Sequence, residues 1–169
     1  MAISVVSNAG PLMVFSKLNI LHLLKELYGR IEFPVSVYRE TVIIGIRRGF
    51  ADAQILNSFL IRNDRKSVIV NEIPLDLQDS NLDQGEKESI VLALSKNALL
   101  LMDEEQGRAF GRQKKLSIRG SLGVLIEAHG KKLISEDQLR FCFQQISERK
   151  DIWINPDLCA DLLERIFKQ

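Results

Sequence analysis

Two cysteines in 169 residues, Cys142 and Cys159, stand apart with no CxxC spacing, which argues against a zinc site or a disulfide framework and suits a reducing cytoplasm. Both thiols are expected to be small buried hydrophobes. No stretch approaches the ~20 apolar residues of a membrane span. The start, MAISVVSNAGPL, lacks the basic region and long apolar run of a leader, so secretion and membrane insertion are not expected. Phosphate loops are missing as well: there is no GxxxxGK[ST], and no GxGxxG follows the first β-rich run. A GxSxG elbow is absent, and the two histidines make poor triad members. His22 lies inside the apolar Ile20 to Leu24 run, and His129 lies near Lys131 and Lys132. A phospho-accepting receiver domain would place a lysine after its fifth strand, where this chain has Gly120. The formal net charge of +1 points to neither a strongly basic nucleic-acid binder nor an acidic tail.

With 46% hydrophobic and 27% charged residues, the chain reads as a single globular domain over residues 1–169, large enough to bury roughly two thirds of its unfolded surface. No repeat, low-complexity tract or linker divides it. Short β-rich runs are expected at Ile3–Val6, Arg30–Phe33, Val68–Val70, Leu99–Met102 and Leu116–Ile118. Helical periodicity fills the intervals: Val14 to Leu27 up to a stop at Gly29, a helix opening near Ser36, and one from Arg47 to Arg62. In the last of these, Ile55, Leu56, Phe59 and Leu60 are expected to be buried against the domain or a second copy of it. Pro74 to Asp79 reads as a polar connection, a basic helix follows at Gly107 to Lys115, another runs from Leu122 to about Lys131, and helical segments fill the chain from about 135 onward. Strands alternating with helices, with no Asn-Gly or Asp-Gly hairpin, predict a mainly parallel sheet with helices on both faces, a three-layer α/β/α sandwich.

The stretch LDQGEKESIVLALSKNALLLMDEEQ, residues 82–106, carries carboxylates at both ends of one apolar unit. Asp83 and Glu86 have capping-box spacing, so a helix is expected to start there and run to about Lys96. The following apolar run ends abruptly at Asp103, Glu104 and Glu105, and in open parallel sheets ligand chemistry lies just past such strand ends. Glu86 shares a face with Ser89, Ile90, Ala93 and Leu94, and Glu40 shares one with Val37, Thr41 and Ile44, so two acids are expected on buried stripes. A carboxylate aimed at a core needs a partner, a proton or a metal. Right-handed crossovers should bring Asn8, Asp103, Glu104 and Ser121 to one sheet edge. The result is an acid-only site of Glu40, Glu86 and Asp103, with Glu104 as an outer or second-metal ligand and Asn8 as a neutral oxygen donor. Such oxygens suit Mg²⁺ or Mn²⁺ and phosphodiester hydrolysis, in which the ion acidifies a water and offsets phosphate charge.

Five pieces in order also resemble the PIN-domain nucleases, in particular a VapC-like branch of small stand-alone bacterial and archaeal proteins. They are VVSNAGPL, FPVSVYRE with Glu40, GEKESIVLAL with Glu86, LLLMDEEQGR with Asp103, and IRGSLGVL with Ser121; KDIWINPDLCADLLERI is similar to the branch's closing segment. The resemblance implies a parallel sheet in an α/β/α sandwich and a Mg²⁺- or Mn²⁺-dependent ribonuclease. It also implies a homodimer, and often a toxin restrained by a small antitoxin protein. Asn8 stands where the family usually has aspartate, which removes one negative charge and should lower metal affinity.

Single-residue alternatives exist for each piece. Asn8 and Asp103 are also good N-caps, and Glu86 is also the capping-box partner of Asp83. Ser121 fits a helix cap or a contact to metal-bound water or phosphate, and Arg108, Arg112, Lys114 and Lys115 fit either RNA phosphates or a solvated face. The competing function is a PIN-fold module that engages RNA or a protein partner without cutting. Cleavage of DNA ends or flaps would use the same ligands.

Overall fold

A computed structural model describes residues 3–65 and 67–168, in two compact units, residues 1–120 and 121–169. The first unit is α/β. Its sheet has the order β1 (Val5–Ser7), β2 (Leu99–Leu101), β3 (Ile118–Arg119), all parallel, with Val6 opposite Leu100 and Leu101 opposite Arg119. Every residue of β1 and β2 is buried, as expected for a parallel sheet covered on both faces.

The runs expected as strands at Arg30–Phe33 and Val68–Val70 contribute single parallel bridges, Val6 with Glu32 and Pro34 with Val68. Pro34 has no N–H to extend a ladder. The chain instead makes Val68 N–H to Phe33 O at 2.8 Å and Val35 N–H to Val68 O at 3.0 Å, and then turns into helix.

Helices α1 (Ala9–Lys17) and α2 (Leu21–Tyr28) follow β1, and Gly29 closes α2 at φ 67°, a left-handed conformation that glycine adopts cheaply. Next come α3 (Val35–Tyr38), a π-helical turn (Arg39–Ile44) and α4 (Gly45–Arg47). The helix expected from Arg47 begins later, as α5 (Ala51–Arg62). Gly49 at φ 78° ends the preceding helix, with Gly49 N–H to Ile46 O at 2.9 Å and Phe50 N–H to Gly45 O at 3.0 Å. On α5, Leu56 and Leu60 are buried whereas Ile55 is exposed. The expected polar connection holds a short helix, α6 (Leu75–Gln78), pinned by buried Leu77.

α7 (Gln84–Lys96) lies against the sheet. Its Ile90, Leu92 and Ala93 form one core with Val6, Leu100 and Met102. Asn97 ends it in the left-handed region, and α8 (Glu105–Gln113) leads to β3. The second unit is helical: α9 (Ser121–Gly130), α10 (Glu136–Glu148) and α11 (Pro156–Phe167), with α10 packed on both others. Both cysteines are free and buried there, and burial raises each thiol pKa, so neither is a ready nucleophile. No helix among the described residues is long and apolar enough to cross a membrane.

Candidate active site

The carboxyl ends of the strands define the site. Asn8 N–H donates to Leu101 O at 2.9 Å and Met102 N–H to Arg119 O at 3.0 Å, so Asn8, Met102 and Gly120 are the first residues past three adjacent strand ends, with Asp103 one step further. Asp103 is packed between two glycines. A β-carbon on Gly10 would stand 3.3 Å from its Oδ2, and one on Gly120 would stand 3.1 Å from its Oδ1.

Asn8 occupies the N-cap position of α1 through its backbone, but its side chain makes no capping hydrogen bond. At 6% exposure, the amide is directed to α7, where the single hydroxyl hydrogen of Ser89 has two acceptors in reach, Gly85 O at 2.6 Å and Asn8 Oδ1 at 3.3 Å from Oγ. Gly85 leaves the space: a β-carbon there would lie 3.6 Å from Asn8 Oδ1. Fully buried Ser89 was recognisable in sequence only as a member of a buried face, not as the partner of Asn8.

Glu86 completes a reciprocal cap. Its backbone N–H donates to Asp83 Oδ1 at 2.8 Å, and its Oε2 accepts from Asp83 N–H at 2.9 Å. It is buried, and its carboxyl pKa is raised first by that burial, against the lowering effect of the Asp83 N–H bond, and further by the charges of Asp83, Glu104 and Glu40. Asp83, read in sequence as a cap alone, is therefore also part of the acidic field.

The expectation that Glu40 lies on a buried stripe does not hold. Val37 and Thr41 are buried, but Glu40 and Ile44 are exposed. The cause is the π-helical turn, whose wider winding breaks the α-helical facing of residues three and four apart. Its carboxyl is nonetheless hemmed by protein, and this desolvation, then the charge of Asp83, raises its pKa. Glu104, rather than Asp103, caps α8, its two oxygens accepting from Gln106 N–H at 3.1 Å and Gly107 N–H at 2.6 Å.

The cations differ from one another. Arg112 pairs with Glu105 at 2.7 Å, and Lys114 pairs with Asp76. Among the described residues Arg108 has no such ion pair, and its Nε is buried without a hydrogen-bond partner. Ser121 is the first residue of α9 in the second unit and is fully buried.

The structure thus joins Asn8 to Gly85 and Ser89, joins Glu86 electrostatically to Asp83, Glu104 and Glu40, and holds Asp103 beside Gly10, Gly120 and Arg108. Among the described residues no three histidine, cysteine, aspartate or glutamate side chains form a ready-made metal cluster, so Glu40, Glu86, Asp103 and Glu104 are not drawn into one chelating knot. The donor chemistry still fits a hard cation. It is all oxygen, it holds like charges with raised pKa values, and an ion such as Mg²⁺ keeps several waters and needs only one or two direct carboxylates.

No curated protein and no solved structure matches the chain. A family model described as a PIN domain matches residues 4–168, spanning both units. With a parallel sheet whose carboxyl edge carries Asn8 and Asp103, and with that match over nearly the whole length, the chain belongs to the PIN-domain family, whose members are generally nucleases.

Proposed function

We propose that this protein is an endoribonuclease whose phosphodiester hydrolysis depends on Mg²⁺ or Mn²⁺. The observation that carries the reading is buried Glu86, ionised only against burial and the charges of Asp83, Glu104 and Glu40. Nothing cationic on the described chain bonds to its carboxylate, and a divalent ion would relieve that cost. Glu86, Asp103 and Glu40 are the residues to hold the ion, with Asn8 as a neutral oxygen donor. Glu104, both oxygens engaged at the α8 cap, is assigned an outer position. What the bound ion supplies is a lowered pKa for a coordinated water and charge compensation at the phosphate.

The chain's own residues do the rest. The reciprocal cap fixes Glu86 on α7, Gly10 and Gly120 seat Asp103, and the π-helical turn carries Glu40, while a carboxylate at the ion takes the proton of the attacking water. No histidine base is required. A cleavage assay on single-stranded and structured RNA, with Mg²⁺, Mn²⁺ or chelator, tests this. Metal-dependent cutting abolished by Asp103→Asn is expected. Cutting that survives chelation, or that survives the substitution unchanged, refutes the assignment, and RNA binding without cutting would favour the non-cleaving module.

A further inference from the structure

Arg108 stands on α8 one turn past the cap, its backbone N–H donating to Glu104 O at 3.0 Å. Its guanidinium folds back over the sheet edge. Nη1 lies 2.5 Å, and Asp103 Oδ1 3.1 Å, from the point that a β-carbon on Gly120 would occupy. A side chain at position 120 would therefore push the guanidinium out, so the absence of one makes the seat. Arg108 Nε is the one buried side-chain polar atom among the described residues that lacks a hydrogen-bond partner, while exposed Arg112 and Arg140 are each paired with a glutamate. A buried donor left unpaired is costly, and native proteins keep such a group where a ligand, a water or an ion completes it. The planar fork of a guanidinium matches an anion that presents two oxygens, as phosphate does.

We infer that Arg108, seated over Gly120 beside Asp103, holds a phosphodiester group of the bound nucleic acid. The inference deepens the nuclease reading by naming a contact to the substrate backbone, and it needs binding alone, so it stands or falls independently of cleavage. A phosphodiester is common to RNA and DNA, and both enter the test.

The experiment measures binding of labelled single-stranded RNA and DNA 12-mers to the full chain in chelator, by fluorescence anisotropy from 50 to 200 mM KCl, with folding followed by circular dichroism. Arg108→Met should weaken binding about 10- to 100-fold, the loss of one charge-assisted contact. It should also reduce the slope of log K against log salt by about 0.7, the value for one phosphate contact on a single strand. Arg108→Lys should keep the slope while losing several-fold in affinity. Gly120→Ala, which leaves the net charge unchanged, should also weaken binding. These last two variants carry the test if Arg108→Met fails to fold. An unchanged affinity and slope in folded Arg108 variants overturns the inference, as does a parent protein that binds neither strand at 50 mM KCl. Equal slope changes on RNA and DNA support it, even if the parent cuts nothing and the nuclease proposal falls.

Discussion

Placing an aspartate at position 8 should weaken the metal-free protein before it helps the metal-bound one. The Ser89 hydroxyl has a single hydrogen but two acceptors, Gly85 O at 2.6 Å and Asn8 Oδ1 at 3.3 Å, and the shorter contact claims it. An amide answers by a half-turn that offers its NH₂ to the lone pairs of Ser89; an ionised carboxylate has no hydrogen to offer. At a position 6% exposed, an acceptor left unpaired costs about 1–3 kcal/mol. In a chain of this length that corresponds to a Tm lower by about 2–12 °C. The new carboxyl's pKa should be raised, so the deficit should shrink as pH falls and the protonated group donates to Ser89. With Mn²⁺ the sign reverses. A unit charge ~4 Å from a dication at an effective dielectric near 20 gains about 8 kcal/mol of gross Coulomb energy, and even a small net remainder tightens binding about tenfold per 1.4 kcal/mol. Scanning calorimetry at pH 5 and pH 8, in chelator and in Mn²⁺, with titration calorimetry for the ion, measures each part. Asn8→Asp protein as stable as the parent in chelator at pH 8, with no pH dependence of the difference, would refute the reasoning about Ser89.

Three further outcomes are expected. Because the pKa values of Glu86 and Glu40 are raised from 4.5, their contribution to stability is fully present below that value and is lost as pH rises through the folded-state pKa values; the metal-free Tm difference between Glu86→Gln and parent should therefore turn in the variant's favour toward pH 8, and Mn²⁺ should erase it. Glu86→Gln keeps a residue able to close the capping box, so it should remain folded while cleavage is lost, whereas Asp83→Ala should cost about 0.5–2 kcal/mol through the helix cap, read as a Tm drop of a few degrees. Ile43, Ile44, Ile46, Phe50 and Ile55 are all exposed along the π-helical turn, α4 and α5; if this apolar surface joins the expected homodimer, Phe50→Glu should yield monomers in size-exclusion chromatography with light scattering, and an unchanged mass places the contact elsewhere.

Local chemistry was legible in the sequence and distant pairing was not. The Asp83 and Glu86 box, the α7 span and the apolar run of β2 rest on spacings of a few residues, and the structure reproduces them. The edge that gathers Asn8 and Asp103 was also legible, because parallel strands and right-handed crossovers leave few arrangements. Pairing at Glu32, Pro34 and Val68 stops at single bridges because of a missing proline N–H, a local fact with a non-local effect. Asp103 and Glu104 are both good caps, and the choice of Glu104 follows from where β2 stops and Met102 is buried. The isolation of Arg108 has no sequence signature, since it depends on a glycine twelve residues away in sequence.

The π-helical turn at Arg39–Ile44 makes the number of residues, as much as their identity, a determinant of the bearing of Glu40. Deleting one residue upstream within this turn would return the backbone to ordinary α winding and swing the acid through about a quarter to a third of a revolution, with no change in composition near the site. Relatives whose helix is one residue shorter here would present their acid from a different angle, and a gap placed carelessly in an alignment would equate side chains that face different neighbours.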